Sequence, residues 1–131
     1  MDTEELIRRI IGAAIAVHRE LGPGYLESVY ETALTVELSQ MGIRCEQQKT
    51  IDIRYRGTKV GEHRLDLVVD GKVIVENKAV ASLDKIFFLV VRSYLKAANL
   101  NDALLLNFAA MPLTIKRVGA EDTQRYLAGD G

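Results

Sequence analysis

The stretch from Arg64 to Lys78 constrains most strongly what this chain can fold into. It reads as two apolar strands joined by a tight turn at Asp70-Gly71, which predicts a β-hairpin. Asp66 lies on the first strand, and Glu76 and Lys78 end the second. Because strand interiors disfavour acidic residues and lysine, three charges there require an explanation. Two carboxylates and an ammonium at one end of a sheet are what metal-assisted phosphodiester hydrolysis needs.

Composition predicts a single soluble domain over residues 1–131, with 48% apolar and 27% charged residues. No run of eighteen apolar residues and no basic-then-apolar leader is present, so we expect neither a membrane span nor a signal peptide. A net charge of −1 excludes a globally basic nucleic-acid binder but leaves room for a local basic stripe.

Cysteine usage limits the kind of metal site that one chain can form. Cys45 stands alone, which excludes an internal disulfide and fits a reducing cytoplasm. With one cysteine and two histidines, a zinc site of the usual cysteine and histidine type cannot be assembled. Any bound metal should therefore be held by oxygen ligands.

The hydrophobic period predicts an α+β fold, a mixed sheet flanked by helices in the order ααββββαββ. Helices are predicted over about 3–20, 25–41 and 83–98, and a frayed helix at the C-terminus. Strands are predicted over about 44–48, 51–56, 64–69, 72–77 and 103–108, and near 113–118. The helix over 83–98 is apolar nearly all round, so it is buried on more than one side or forms a subunit contact. We therefore also expect a homodimer through this helix.

The parity of the hairpin decides whether its charges meet. A two-residue loop at Asp70-Gly71 would pair Asp66 with Val75 and place Glu76 on the other face of the sheet. A three-residue loop of Val69-Asp70-Gly71, with Gly71 in a bulge, would align Asp66, Glu76 and Lys78 on one face. The site hypothesis therefore predicts a three-residue turn or a bulge in this hairpin.

Two motifs carry a resemblance to a known family. Asp66 followed by Glu76-Asn77-Lys78 resembles the signature of the PD-(D/E)XK nuclease superfamily. The segment Gly24-Tyr25-Leu26-Glu27-Ser28-Val29-Tyr30 matches the motif that names the GxxExxY family, and the resemblance spans roughly residues 5–118. That family is placed within the nuclease superfamily, so the resemblance implies a restriction-endonuclease-like core.

The resemblance also implies roles for individual residues. Asp66 and Glu76 would bind Mg²⁺ or Mn²⁺, with Glu27 as a further acidic ligand on a helix, and Lys78 would be the catalytic lysine. The substrate would be nucleic acid, with DNA favoured over RNA. Residues that could support the site are Gly24, which allows a sharp turn, Tyr30, His18 and Tyr94. Residues that could contact nucleic acid are Lys85, Arg92 and Lys96, at i, i+7 and i+11 of the third helix, and Arg64.

Departures from the family pattern keep other readings open. Val90 and Phe87 stand where the family usually has glutamine and histidine, and Asn77 stands where an apolar residue is common. The alternatives are a catalytically weak or silent nucleic-acid-binding or regulatory module, and a hydrolase of small phosphoesters. The charges could also be a solvent-facing salt-bridge cluster, and the basic stripe a solvated helix face.

Overall fold

The computed structural model describes residues 1–120, which form three helices and five strands. The helices are α1 (Thr3–Leu21), α2 (Glu27–Gln40) and α3 (Lys85–Ala98). The strands are β1 (Cys45–Tyr55), β2 (Thr58–Val69), β3 (Val73–Lys78), β4 (Asp102–Asn107) and β5 (Thr114–Gly119). The predicted C-terminal helix lies outside the described residues.

The five strands form one mixed sheet in the order β1-β2-β3-β4-β5. Neighbours pair antiparallel except β3 and β4, which are parallel and connected through α3. This is the crossover predicted for the buried run of apolar residues in β4, which is covered on both faces as parallel strands usually are.

Helices cover both faces of the sheet, and each face has its own apolar core. On one face, α1 and α2 pack over alternate residues of the central strands, including Leu67, Val75 and Leu104. On the other face, α3 packs through Val91 and Leu95 over the opposite set. Within residues 1–120, no helix is long and apolar enough to span a membrane.

One long strand replaces two predicted ones, so the expected order ααββββαββ is corrected to ααβββαββ. The strands predicted over 44–48 and 51–56 are both part of β1. The predicted break at 49–50 directly follows Gln48, whose backbone φ of 53° is in the left-handed region that non-glycine residues rarely adopt. The polar residues around Gln48 therefore mark a distortion within a strand and not its end.

The β2–β3 hairpin has the parity that the site hypothesis requires. Val69 pairs with Val73 and Leu67 pairs with Val75, so Asp66 and Glu76 occupy opposing positions on one face. The predicted loop was wrong by one residue: it comprises Asp70, Gly71 and Lys72, with Asp70 (φ 51°) and Gly71 (φ 66°) both left-handed. A three-residue turn is thus confirmed.

The sheet opens at Asp66. The pairing between β2 and β3 ends at Leu67 and Val75, so residues 58–66 of β2 pair only with β1. The register places Gln48 opposite Asp66, and Gln48 is the distorted residue of β1. The backbone therefore departs from regular pairing on both sides of Asp66, which leaves room for its side chain to turn toward β3.

Candidate active site

Asp66, Glu76 and Lys78 converge where β2 and β3 separate. The Asp66 Oδ2 atom accepts a hydrogen bond of 3.0 Å from the backbone N–H of Asn77, which replaces a ladder bond of the open sheet. The Lys78 Nζ atom lies 3.6 Å from Glu76 Oε2. Glu76 is only 6% exposed, so this cluster is set into the protein and does not resemble a solvated surface ion pair.

Burial and a like charge raise the pKa of Glu76 to about 8. Burial contributes most, the negative charge of Asp66 contributes next, and a hydrogen bond with Asp66 adds to the effect. The ammonium of Lys78 opposes these effects but does not outweigh them. A Glu76 carboxyl group with a raised pKa beside a second carboxyl group is typical of paired acids at functional sites.

The end of β3 is fixed by hydrogen bonds from β4 and the residues after it. The buried Asn107 side chain accepts from the backbone N–H of Val80 (3.1 Å) and donates to the Val80 carbonyl (2.9 Å). The backbone N–H of Phe108 donates to the Lys78 carbonyl at 2.8 Å. These bonds hold the Lys78 backbone in place. A polar residue that ends an apolar strand was the signal in the sequence for this role of Asn107.

Phe87 lies against the lysine. The Lys78 Nζ atom is 4.6 Å from the centroid of the Phe87 ring, within the range of a cation–π interaction. The ammonium is thus held between the ring and the Glu76 carboxyl group, and only 22% of the Lys78 side chain is exposed. The ring of Phe87 thus contacts the ammonium without offering it a hydrogen-bond acceptor.

Tyr94 lies between the carboxylates and the side chain of His63. Its pKa is raised to about 12, first by burial and then by the negative charges of Glu76 and Asp66, so the phenol remains protonated and able to donate. Its ring makes an edge contact with His63, with 4.7 Å between the ring centroids. The predicted support role of Tyr94 is consistent with this placement.

The acidic residue of α2 that interacts electrostatically with Asp66 is Glu31, one turn after the predicted Glu27. Glu27 is exposed in the first turn of α2. Glu31 is buried and accepts hydrogen bonds from Gln47 (3.0 Å) and Gln48 (2.7 Å). Its pKa is raised, mainly by burial and further by the charge of Asp66. The sequence signal for Glu31 was an acid directly after the buried tyrosine of the GxxExxY motif.

Two of the predicted support residues, Gly24 and Tyr30, shape the backbone before α2, and a third, His18, contacts another loop. The Tyr30 hydroxyl donates to the Gly22 carbonyl (2.6 Å) and accepts from the Tyr25 N–H (3.2 Å), and its ring stacks on Phe108. Gly24 has a φ of 116°, which favours glycine. His18 Nε2 is 2.9 Å from the carbonyl of Ala110, in the loop between β4 and β5. The structure thus places His18 against that loop and not among the carboxylates.

Comparison with known proteins assigns the family. A sequence model of the PD-(D/E)XK nuclease superfamily matches residues 4–118. The chain belongs to this superfamily. No curated protein matches the chain significantly. Among solved structures, the crystal structure of SSO0001 is similar with a TM-score of 0.55 and 14% identity, over 78% of this chain and 59% of that one. At that identity the similarity concerns the fold alone, and the predicted mixed sheet with flanking helices is confirmed.

The carboxylates of this PD-(D/E)XK protein suit a hard divalent cation. Superfamily members are generally divalent-metal dependent. Within residues 1–120, the buried Glu76 Oε1 atom has no hydrogen-bond partner, and no group of three or more acidic, histidine or cysteine side chains could hold a metal by itself. Mg²⁺ is commonly bound by one or two carboxylates and completes its shell with water and substrate phosphate. Asp66 and Glu76 fit that pattern.

The predicted nucleic-acid contacts of this PD-(D/E)XK domain are spread along two elements. Lys85 and Lys96 are exposed near opposite ends of α3, and Arg92 is half-buried between them. Arg64 is exposed on β2, two residues before Asp66. Lys85 and Lys96 thus lie at the two ends of the helix that covers this face. Arg64 lies between His63 and Leu65, which both pack toward α3, so its position in the strand directs it to the opposite face.

Proposed function

We propose that this protein is a Mg²⁺- or Mn²⁺-dependent nuclease that hydrolyses phosphodiester bonds of nucleic acid, with DNA favoured over RNA. The observation that carries the proposal is the pair formed by Asp66 and the buried Glu76, whose pKa is raised by burial and by the charge of Asp66 and whose Oε2 atom lies 3.6 Å from Lys78 Nζ. Two carboxylates that repel each other would weaken a purely structural ion pair. A cation site, in contrast, requires carboxylates that lie close together. The Gly24, Glu27 and Tyr30 motif supports placing the chain in the GxxExxY family.

In this mechanism Asp66 and Glu76 would hold the cation, with Glu27 or Glu31 acting through water. When bound, the cation lowers the pKa of a coordinated water and neutralises charge on the phosphate. Lys78 would orient the attacking water and stabilise charge on the phosphate oxygens. The attacking water would release a proton to solvent as its oxygen adds to phosphorus, the bond to the leaving oxygen would break, and that oxygen would take a proton from solvent. No covalent enzyme intermediate forms.

Cation binding tests the site directly. Calorimetry with Mg²⁺ and Mn²⁺ should show micromolar to low-millimolar binding by the native chain and none by an Asp66→Ala, Glu76→Ala double variant. Lys78→Ala should retain cation binding but lose Mn²⁺-dependent cleavage of labelled DNA and RNA. If cleavage survives both Glu76→Ala and Lys78→Ala, this mechanism is wrong.

A second candidate is a catalytically silent nucleic-acid-binding or regulatory module with the same fold. Phe87 favours it, because the aromatic ring takes up one side of the Lys78 ammonium at 4.6 Å and adds no proton donor or acceptor to the site. This candidate predicts oligonucleotide binding without cleavage in any divalent cation. Cleavage that depends on Lys78 would exclude it.

The proposal also includes the cellular compartment, the oligomeric state and the class of substrate. The lone Cys45 favours a reducing compartment, which we take to be the cytoplasm. The partly exposed apolar face of α3 supports a homodimer. A metal-dependent hydrolase of small phosphoesters is less well supported, because such an enzyme needs no extended basic track.

A further inference from the structure

A cleft of about 730 Å³ lies between the β1–β2 ribbon and the second half of α3. Ile51 and Ile53 of β1 line one side, and Ser93 and Lys96 of α3 line the other. His63 contributes from β2. This volume is within the range of cavities that bind ligands, and Asp66, Glu76 and Lys78 do not line it.

The cleft is connected to the carboxylates through two aromatic side chains. His63 lines the cleft, its Nε2 atom lies 3.1 Å from Ser93 Oγ, and its ring contacts Tyr94. Tyr94 in turn packs against the apolar core of this face, which includes Val68 and Ile74, each two residues along the strand from Asp66 and Glu76. The cleft therefore begins where the carboxylate site ends, on the same face of the sheet.

The segment of β1 and β2 beside the cleft carries a positive net charge, whereas the rest of the chain is negative. Residues 49–64 contain five lysines and arginines and two acidic residues, a net charge of +3, so the remaining chain carries −4 of the total of −1. Asp52, the acidic residue that lines the cleft, is paired with Arg54 at 3.2 Å and with Lys59 at 3.3 Å. Among residues 1–120, Lys96 forms no ion pair. The positive charge of Lys96 is thus available to an anion.

We propose that this cleft binds the sugar-phosphate backbone of a single nucleic-acid strand a few nucleotides away from the bond at the carboxylates. His63 is three residues from Asp66 along β2, and Gly61, which pairs with Ile53, is five residues away. At about 3.3 Å per residue these distances are about 10 and 17 Å. A single strand of a few nucleotides spans such distances.

The inference rests on the proposed function, because it names the path of that substrate. Lys96 would neutralise one phosphate, and Arg54 would exchange its exposed contact with Asp52 for a second one. The half-buried Ile51 and Ile53 would contact the apolar faces of sugars or bases. Because the β1–β2 ribbon bounds the cleft on one side and α3 bounds it on the other, we infer that a single strand enters it in preference to a duplex. The cleft would thus confer a preference for single-stranded segments.

Two double variants of equal charge test the cleft. Arg54→Glu with Lys96→Glu changes the cleft, and Lys72→Glu with Lys116→Glu makes the same change in charge at the β2–β3 turn and on β5, the strand at the opposite edge of the sheet. Binding of a fluorescein-labelled single-stranded oligo(dT) of about 12 nucleotides is measured by anisotropy in EDTA across a salt series. Far-UV circular dichroism checks folding, and Lys96→Ser alone serves as a milder variant.

We expect the cleft variant to bind the oligonucleotide at least about tenfold more weakly, with a shallower salt dependence, than the control variant. Equal losses in the two variants, no binding by the native chain at low salt, or equal competition by a duplex would each overturn the inference. Calorimetry with Mn²⁺ separates this result from the proposed function. The cleft variant should bind Mn²⁺ normally, whereas Asp66→Ala, Glu76→Ala should lose Mn²⁺ and keep the oligonucleotide.

Discussion

At the scale of single residues, the molecule gives up stability at two adjacent positions of β3. Glu76 is a buried acid whose neighbour Asp66 repels its ionised form. Asn77 is fully buried, and neither polar atom of its side chain has a partner within residues 1–120. Buried polar groups without partners cost free energy and concentrate at functional sites.

The raised pKa of Glu76 predicts how stability depends on pH. Between about 4.5 and 8 the folded state retains a proton that the unfolded chain releases, so the free energy of unfolding should fall as pH rises, by at most about 1.4 kcal/mol per pH unit. Glu76→Gln cannot ionise and should remove this dependence and be the more stable protein at pH 8. Urea unfolding across this pH range checks the prediction. An unchanged pH profile in Glu76→Gln would show that another group is responsible.

Asn77 and Asn107 form a matched pair of buried amides on neighbouring strands. Asn77→Val removes an amide without partners and should raise the free energy of unfolding by about 1 kcal/mol. Asn107→Val removes the two bonds to Val80 and should lower it by about 2 kcal/mol. Thermal and urea unfolding measure both. Destabilisation by Asn77→Val would mean that water or a ligand satisfies this amide.

At the scale of elements, the β2–β3 turn decides which side chains share a face. The sequence predicted that a third loop residue was necessary, but Asp70-Gly71 alone could not show which residue it was. Lys72, which completes the loop, changes the parity of the pairing. Its side chain is half-exposed and makes one long contact of 3.8 Å with Asp70.

The length of the turn should therefore affect the free energy of unfolding more than the identity of its residues does. Lys72→Ala should change stability by less than about 0.5 kcal/mol, as is usual for exposed positions. Gly71→Ala should cost about 1–2 kcal/mol because Gly71 has a φ of 66°. Deletion of Lys72 should cost far more than either, because it forces the charged face of β3 into the core or breaks its pairing. Urea unfolding compares the three proteins, and a deletion as mild as Lys72→Ala would contradict this account.

Much of the fold and the centre of the site could be predicted from sequence, because both depend on local patterns. The change of period after Gly42 marks the start of the sheet, and acidic and basic residues inside apolar strands mark Asp66, Glu76 and Lys78. The rest depends on tertiary contacts. Gln48 adopts its left-handed backbone in the middle of a strand, and Glu31 becomes buried only because β1 and α2 bring it to Gln47 and Gln48.

At the scale of the whole molecule, α3 is less enclosed than its sequence predicted. Only Val91 and Leu95 of this helix are fully buried, while Ile86 is 57% exposed and Phe88 and Leu89 are half-buried. The sheet covers one side of the helix and leaves an apolar strip toward its beginning. Such a strip on a small protein is typical of a contact surface.

The homodimer predicted from this helix has a direct test. The native chain should behave as a dimer in light scattering coupled to gel filtration at micromolar concentrations, and Ile86→Asp should behave as a monomer with an unchanged far-UV spectrum. Val60→Asp is a control of the same chemistry, because Val60 is equally exposed, at 62%, on the β1–β2 ribbon. A native chain that is monomeric throughout would contradict the prediction.

The three-residue turn has a consequence for how such a protein can change over generations. Exposed loops normally tolerate gained and lost residues, whereas cores tolerate neither. In this chain the length of an exposed loop is as constrained as a core is, whereas its sequence is not. Substitutions at Lys72 could accumulate freely, but an insertion or deletion of a single codon there would separate Asp66 from Glu76. Among descendants of this chain, an altered turn length would thus identify copies that have abandoned the paired carboxylates.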